Sequence, residues 1–230
     1  MKALLPVAAA ILGCAVVLAQ NDDYLRWDSR RVAAVVAAAH SDGKVGSRTL
    51  LFWTGWDRRL LKTERAQNYK LRATWFTPDV VRASARSAQL RSRLSDNDTR
   101  KLVEEADAAG DTVVVVDIDP NEGSGVLPTD WEAFLRPKDA PSESGQFSRG
   151  VITEELRKVR ALQPIAQRNY DYDRYWVVFP LQTEDGQPLF RTSDVEAELL
   201  VSIYNREGVV TFPIHADVRA KLAAGASPQP

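Results

Sequence analysis

Residues 112–120, Thr-Val-Val-Val-Val-Asp-Ile-Asp-Pro, restrict the fold more than any other stretch of the chain. Consecutive valines are stiff at χ1 and favour strand over helix. A run apolar on both faces predicts a strand covered on both sides. Pro120 cannot donate to a ladder, so the strand is expected to stop there. Asp117 and Asp119, two apart, then lie on the same side of the strand's end. They open a polar loop, Asn121-Glu122-Gly123-Ser124-Gly125.

The segments before this strand read clearly. Asp22 to His40 carries Leu25, Val32, Val35, Val36 and Ala39 at helical spacing, with His40 at the expected helix end and a turn at Ser41-Asp42-Gly43. Thr49–Trp53 is a predicted strand broken by Gly55. Tyr69 to Thr77 alternates, with Tyr69, Leu71, Ala73 and Trp75 on one face and Lys70, Arg72 and Thr74 on the other, as in a half-buried antiparallel strand. Thr77-Pro78-Asp79 is a helix start, and Ser95 begins a second helix with Asp98 three residues on. These give a helical hairpin over 78–109, ended by Gly110. Its arginines and lysine, Arg82, Arg86, Arg91, Arg93, Arg100 and Lys101, read as a solvated helix face paired with nearby acids.

After Pro128 the pattern turns mostly to strand. Trp131–Leu135 is expected as a short edge strand closed by Pro137. Residues 138–150 are polar and loop-like, and 151–159 lean to strand. Tyr175–Phe179 is apolar throughout. Glu184–Gln187 has turn chemistry, Glu196–Tyr204 alternates, and Asn205–Gly208 is read as a hairpin loop before Val209–Phe212. Residues 216–222 read as a last short helix, and 223–230 as a tail. Strands in hairpin-like succession do not alternate as βαβ, which argues against a parallel doubly wound sheet. The expected fold is α+β and β-rich: an antiparallel sandwich or sheet of about six to eight strands, with an N-terminal helix and an inserted two-helix hairpin. The expected organisation is one domain over 20–222.

The N-terminus reads as a secretory signal peptide over 1–19. Met1-Lys2 is a short basic region, Ala3 to Leu18 is apolar, and Val17-Leu18-Ala19 is a small-residue cleavage site. Cleavage removes one lysine and no acid, so the formal charge of −1 becomes one unit more negative. This places the mature chain in the periplasm or outside the cell, with no transmembrane span. Ile11-Leu12-Gly13-Cys14 resembles the lipobox of bacterial lipoproteins, which implies lipidation at Cys14 and anchoring to the envelope. Against that, Ala15–Ala19 continues the apolar run. Cys14 is the only cysteine, so a chain cut after Ala19 has no disulfide. The balanced charge gives no overall electrostatic pull towards nucleic acid.

The Asp117-x-Asp119-x-Asn121 spacing resembles the opening of an EF-hand calcium loop. The resemblance implies Ca²⁺ held by Asp117, Asp119 and Asn121, with Glu122, Asp130, Asp171 or Asp173 adding oxygens. This sequence departs from the pattern at Glu122, where the family has Gly, and at Pro128, where it has a bidentate Glu; a strand precedes the loop in place of a helix. The alternative is that the two aspartates cap the strand end and form Asx-turns over Pro120. No Gly-x-Ser-x-Gly elbow and no glycine-rich phosphate loop occurs, and the two histidines, His40 and His215, are far apart in sequence. The aromatics Trp53, Trp56, Tyr170, Tyr172, Tyr175 and Trp176 suit either a core or a protein- or sugar-binding surface.

Three functional readings follow. The first is a non-catalytic binding or structural module of the bacterial envelope, with a protein or carbohydrate partner. The second is a hydrolase with its site in the loops at one sandwich end. The third is a calcium-dependent carbohydrate-binding or adhesion-like module. The first predicts a flat exposed apolar patch. The second predicts a pocket with clustered carboxylates or a shifted histidine. The third predicts three or more oxygens converging near Asp117 and Asp119.

Overall fold

The structure, a computed structural model, describes residues 22–45, 69–110, 112–120, 128–138, 140, 146–163, 173–204, 206–216 and 218–219. Two antiparallel sheets form within them. The larger is five-stranded, in the order β1 (His40–Val45), β2 (Tyr69–Trp75), β3 (Val113–Pro120), β7 (Asp173–Val178), β6 (Val151–Ile152). The smaller is four-stranded, in the order β5 (Ser148–Arg149), β4 (Trp131–Pro137), β8 (Glu196–Ile203), β9 (Arg206–Pro213).

The valine strand β3 is central in its sheet, and its period-two alternation feeds two separate cores. Val114, Val116 and Ile118 pack with Tyr69, Leu71, Trp75, Leu135, Leu199 and Phe212 between the sheets. Val113 and Val115 point the other way, into a cluster with Trp27, Val36, Val80, Ala85, Leu102 and Trp176. All four valines and Ile118 are fully buried, each contributing roughly 1.5–3 kcal/mol of burial. The apolar run on both faces thus has its cause in a third layer of helices.

That layer consists of α1 (Ser29–Ala38), α2 (Pro78–Ser92) and α3 (Asp96–Asp107), preceded by a 3₁₀ turn at Asp22–Arg26. Thr77 caps α2 at the Val80 amide, and Ser95 caps α3 at the Asp98 amide, 3.1 Å away. Ser95→Ala is expected to cost about 1 kcal/mol, because the α3 amide loses its acceptor; the urea midpoint of the variant checks this. The hairpin's basic residues are largely engaged as expected. Arg82 pairs with Asp79 and Arg100 with Asp22, while Arg86 donates to the Trp27 carbonyl.

Several expectations are corrected. His40 does not end a helix; it begins β1, and Ser41-Asp42-Gly43 lies in that strand opposite Ala73, Arg72 and Leu71. The turn chemistry of these residues is overridden by pairing and by close packing at Gly43. β4 is not an edge strand, since β5 and β8 flank it. Residues 151–159 divide into the short strand β6 and a 3₁₀ turn over Glu154–Lys158. The β8–β9 turn falls at Tyr204, whose φ of 53° is left-handed, so Gly208 lies inside β9 and not in a loop. Predicted strand 49–53 falls outside the described residues, as do 1–21 and 223–230.

The sandwich is closed along both flanks. β1 lies on β9, where a Cβ on Gly208 would stand 2.8 Å from the Lys44 carbonyl oxygen. At the other flank the chain passes from β5 in one sheet to β6 in the other through Gly150, whose amide donates to the Ala133 carbonyl.

Candidate functional site

Asp117 sits where the sequence places it, near the end of β3, but its partners were not foreseen. The register sets Asp42 opposite Arg72, Arg72 opposite Asp117, and Asp117 opposite Arg174. Opposed residues in an antiparallel ladder share a face. The result is a row of alternating charge across four strands, on the helix-side face just beyond the apolar zone. Arg72 Nε donates to Asp42 at 2.8 Å, on the open side of the row. Arg174 donates twice to Asp117, at 2.7 and 3.1 Å, and both side chains are only 7% exposed.

This geometry bears on the calcium expectation. Both carboxylate oxygens of Asp117 accept from one guanidinium, the fork geometry that arginine and carboxylate share. Asp119 lies opposite Lys70. Asp173 is the β7 residue opposite Ile118, and the Tyr175 hydroxyl donates to its carboxylate at 3.3 Å. Asn121, Glu122 and Asp171 lie outside the described residues. Among the described residues no three His, Cys, Asp or Glu side chains are grouped to hold a metal ion. Cys14 also lies outside them.

His40 stands in the next row, opposite Thr74, with Nδ1 2.6 Å from the Thr74 hydroxyl. Burial, and then the Arg72 guanidinium, hold the ring below its ordinary value of 6.5; Asp117 and Asp42 pull the other way and Arg174 adds to the lowering. A folded chain that resists a proton the unfolded chain accepts loses stability on acidification. The His40 contribution is therefore complete above pH 6.5 and is lost as pH falls through that value towards the lowered one. Urea midpoints compared at neutral and mildly acidic pH should fall less in His40→Gln than in the natural chain.

The aromatic expectation divides. Trp176 is buried, and its indole donates to the Leu162 carbonyl. Tyr175 meets Trp131 edge-on at 4.8 Å between the sheets. Desolvation, with help from Asp173, pushes its phenol up to about 12. Both are packing residues. Trp53, Trp56, Tyr170 and Tyr172 are outside the described residues.

The other outer face of the sandwich differs in kind. The apolar cluster under the helices contains no residue of β4, β5, β8 or β9. On that face the register lines up Phe134, Leu200 and Val209 in one row. The register continues the row to Arg149 on β5, and Phe147 meets Phe134 edge-on at 5.6 Å. Val209 is 43% exposed, while Phe134 and Leu200 are half-buried. Polar rows flank this stripe: Arg136, Glu198 and Thr211 on one side, Glu132, Ser202 and Glu207 on the other. Arg136 pairs with Glu198 at 2.8 Å, and Arg149 pairs with Glu132. The stripe was latent in the outward positions of two alternating strands. What hid it was the register, which decides whether isolated apolar residues form a line.

A shallow cleft of about 200 Å³ lies at the edge of this sheet, lined by Lys138, Gln146, Arg191, Asp194, Val195 and Glu196. It is smaller than the roughly 300–1,000 Å³ usual for small-molecule sites, and Lys138 and Glu196 pair within it at 2.6 Å. No described helix is long and apolar enough to cross a membrane. Comparison with protein-family models, curated proteins and solved structures finds no match to this chain.

Proposed function

We propose that the chain is a non-catalytic binding module of the bacterial envelope, exported by the segment 1–19, and that it recognises a protein partner through the outer face of its four-stranded sheet. The observation that carries this reading is the Phe134–Leu200–Val209 stripe, ended by Arg149 on β5 and lying between polar rows. A contiguous apolar patch rimmed by polar residues is what protein contacts use, and it has a cost in water that isolated exposed residues do not. The charge row on the opposite side serves the fold, since its central pair is closed to solvent.

The reading is tested in cells making the whole chain with a photo-crosslinking amino acid at Val209. Discrete adducts in the envelope fraction, lost when Leu200→Glu is added, are expected. An adduct-free result, or a chain retained in the cytoplasm, would sink it.

The hydrolase reading finds support in His40, a half-buried histidine beside Asp42, Asp117 and a hydroxyl. A nucleophilic Thr74 would need its oxygen open to substrate, and Thr74 is only 1% exposed. The binding reading is therefore preferred.

A further inference from the structure

The valine run specifies a strand but not which residues face it. We propose that the buried Asp117–Arg174 pair is a register lock, a conformational device that fixes which residues of β2 and β7 lie opposite each residue of β3. The four valines leave that choice open.

Register is ordinarily set by an apolar face that must turn inwards. β3 is apolar and covered on both faces, with Val113 and Val115 under the helices and Val114 and Val116 between the sheets. Moving it by two residues along its neighbours mostly puts a valine where a valine stood. Backbone ladder bonds re-form in any register. The Thr112 hydroxyl donates to the Phe179 carbonyl, a backbone group that identifies no side chain. The charged residues do discriminate. In the observed register Asp117 lies between Arg72 and Arg174, and Val115 lies between Thr74 and Trp176.

A shift that brings Asp119 opposite Arg72 and Arg174 carries Asp117 to the place of Val115, which is fully buried beneath the helices. Its carboxylate then stands among apolar groups, opposite Thr74 and Trp176. The reverse shift sets Val115 opposite Arg72 and Arg174 and moves Asp117 opposite Lys70. Arg174, whose side chain is 7% exposed, then faces valine in place of the carboxylate that accepted two of its hydrogen bonds. A shift by a single residue turns Asp117 to the other face, into the core between the sheets. Each displaced arrangement strands a buried charge, which is costly; the observed one pairs both. Arg72 exerts no such control, because it is 45% exposed and keeps its bond to Asp42 on the open side of the row.

A buried ion pair adds little net stability over packed apolar groups, and fixing register is the role for which such groups are best attested. β7 in turn holds β6 and, through Gly150, the β5 edge of the other sheet. The choice made at Asp117 therefore also places that flank.

The test is nuclear magnetic resonance on the whole isotope-labelled chain. The natural chain is compared with two double variants, Asp117→Leu with Arg174→Met and Asp117→Val with Arg174→Leu. The natural chain should give one resonance per β3 amide, with residue 115 in cross-strand contact with residue 176. Both double variants should keep a cooperative urea transition and show a second set of β3 resonances, at roughly a tenth of the intensity or more. The second set should carry contacts displaced by two residues, from 115 to 174 or to 178. Where the registers interconvert within milliseconds, relaxation dispersion confined to β3 and the residues facing it reports the same exchange. A folded double variant with one set of resonances and the natural contacts overturns the proposal, because the register then stands without the pair. A second set in the natural chain overturns it too. So does failure of both double variants to fold, which would make the pair a source of stability and not of choice.

Discussion

Arg174→Ala is expected to lower stability by about 3–5 kcal/mol, the cost of leaving a buried carboxylate without its partner. The guanidinium supplies two hydrogen bonds to Asp117, and both side chains are closed to water at 7% exposure. Its loss leaves the Asp117 carboxyl group desolvated and without its hydrogen-bond donor, one row from buried Val115 and Trp176. Asp117→Ala should cost a similar amount for the mirror-image reason. The double replacement Asp117→Leu with Arg174→Met should recover most of the loss, because a buried pair can be worth little more than packed apolar groups of like volume. Chemical denaturation of the natural chain and the three variants makes the comparison. A single variant within about 1 kcal/mol of the natural chain would show that the pair is hydrated and unimportant to the fold. The Arg72–Asp42 pair gives the contrast. It sits on the same row with side chains 45% and 68% exposed, so it should contribute no more than about 1 kcal/mol.

Gly208→Ala should be the most damaging single methyl addition on the β1–β9 flank, at about 1–3 kcal/mol. The new Cβ would stand 2.8 Å from the Lys44 carbonyl oxygen and 2.9 Å from both Leu71 Cδ1 and Val45 Cγ2. Gly43 faces the same seam from β1, with Val210 Cγ2 at 2.9 Å and the Val209 carbonyl oxygen at 3.0 Å from its notional Cβ. Both glycines therefore let two backbones approach; a turn conformation is not what requires them. Gly186 separates the two effects. Its φ is +74° with nothing within 4 Å, so Gly186→Ala carries only a conformational cost, about 1–2 kcal/mol. Thermal unfolding of Gly208→Ala, Gly43→Ala and the double variant should show non-additivity, because the two share one seam. Equal melting of Gly208→Ala and the natural chain would mean the flank is open.

The architecture was legible where the signal is local. The Tyr69–Trp75 alternation, the Thr77 and Ser95 caps and the valine run each carry their cause in a few adjacent residues, and each is found. What depends on a distant strand was not legible. His40–Val45 contains serine, aspartate and glycine and reads as a turn, yet it is held as a strand by β2 on one side and β9 on the other. Gly208 reads as a hairpin residue because its neighbours are turn formers; its role is set by Lys44, far away in sequence. The calcium-like spacing at Asp117 was visible, but the arginine that occupies that carboxylate lies 57 residues on. The Phe134–Leu200–Val209 line required two registers to be known at once.

The passage through Gly150 has a consequence for the order in which the molecule can be made. β1, β2 and β3 belong to the larger sheet, but the chain then builds β4 and β5 of the smaller one before returning with β6 and β7 to complete the first. β8 and β9 finish the second sheet, and β9 comes to rest on β1. Synthesis therefore interleaves the two halves. No prefix of the chain that stops before residue 173 contains β7, which pairs with the central strand β3. None that stops before 206 contains the flank that covers the beginning. A nascent chain of this design commits late and all at once, and a ribosome-bound truncation at any earlier point should remain fully open to protease.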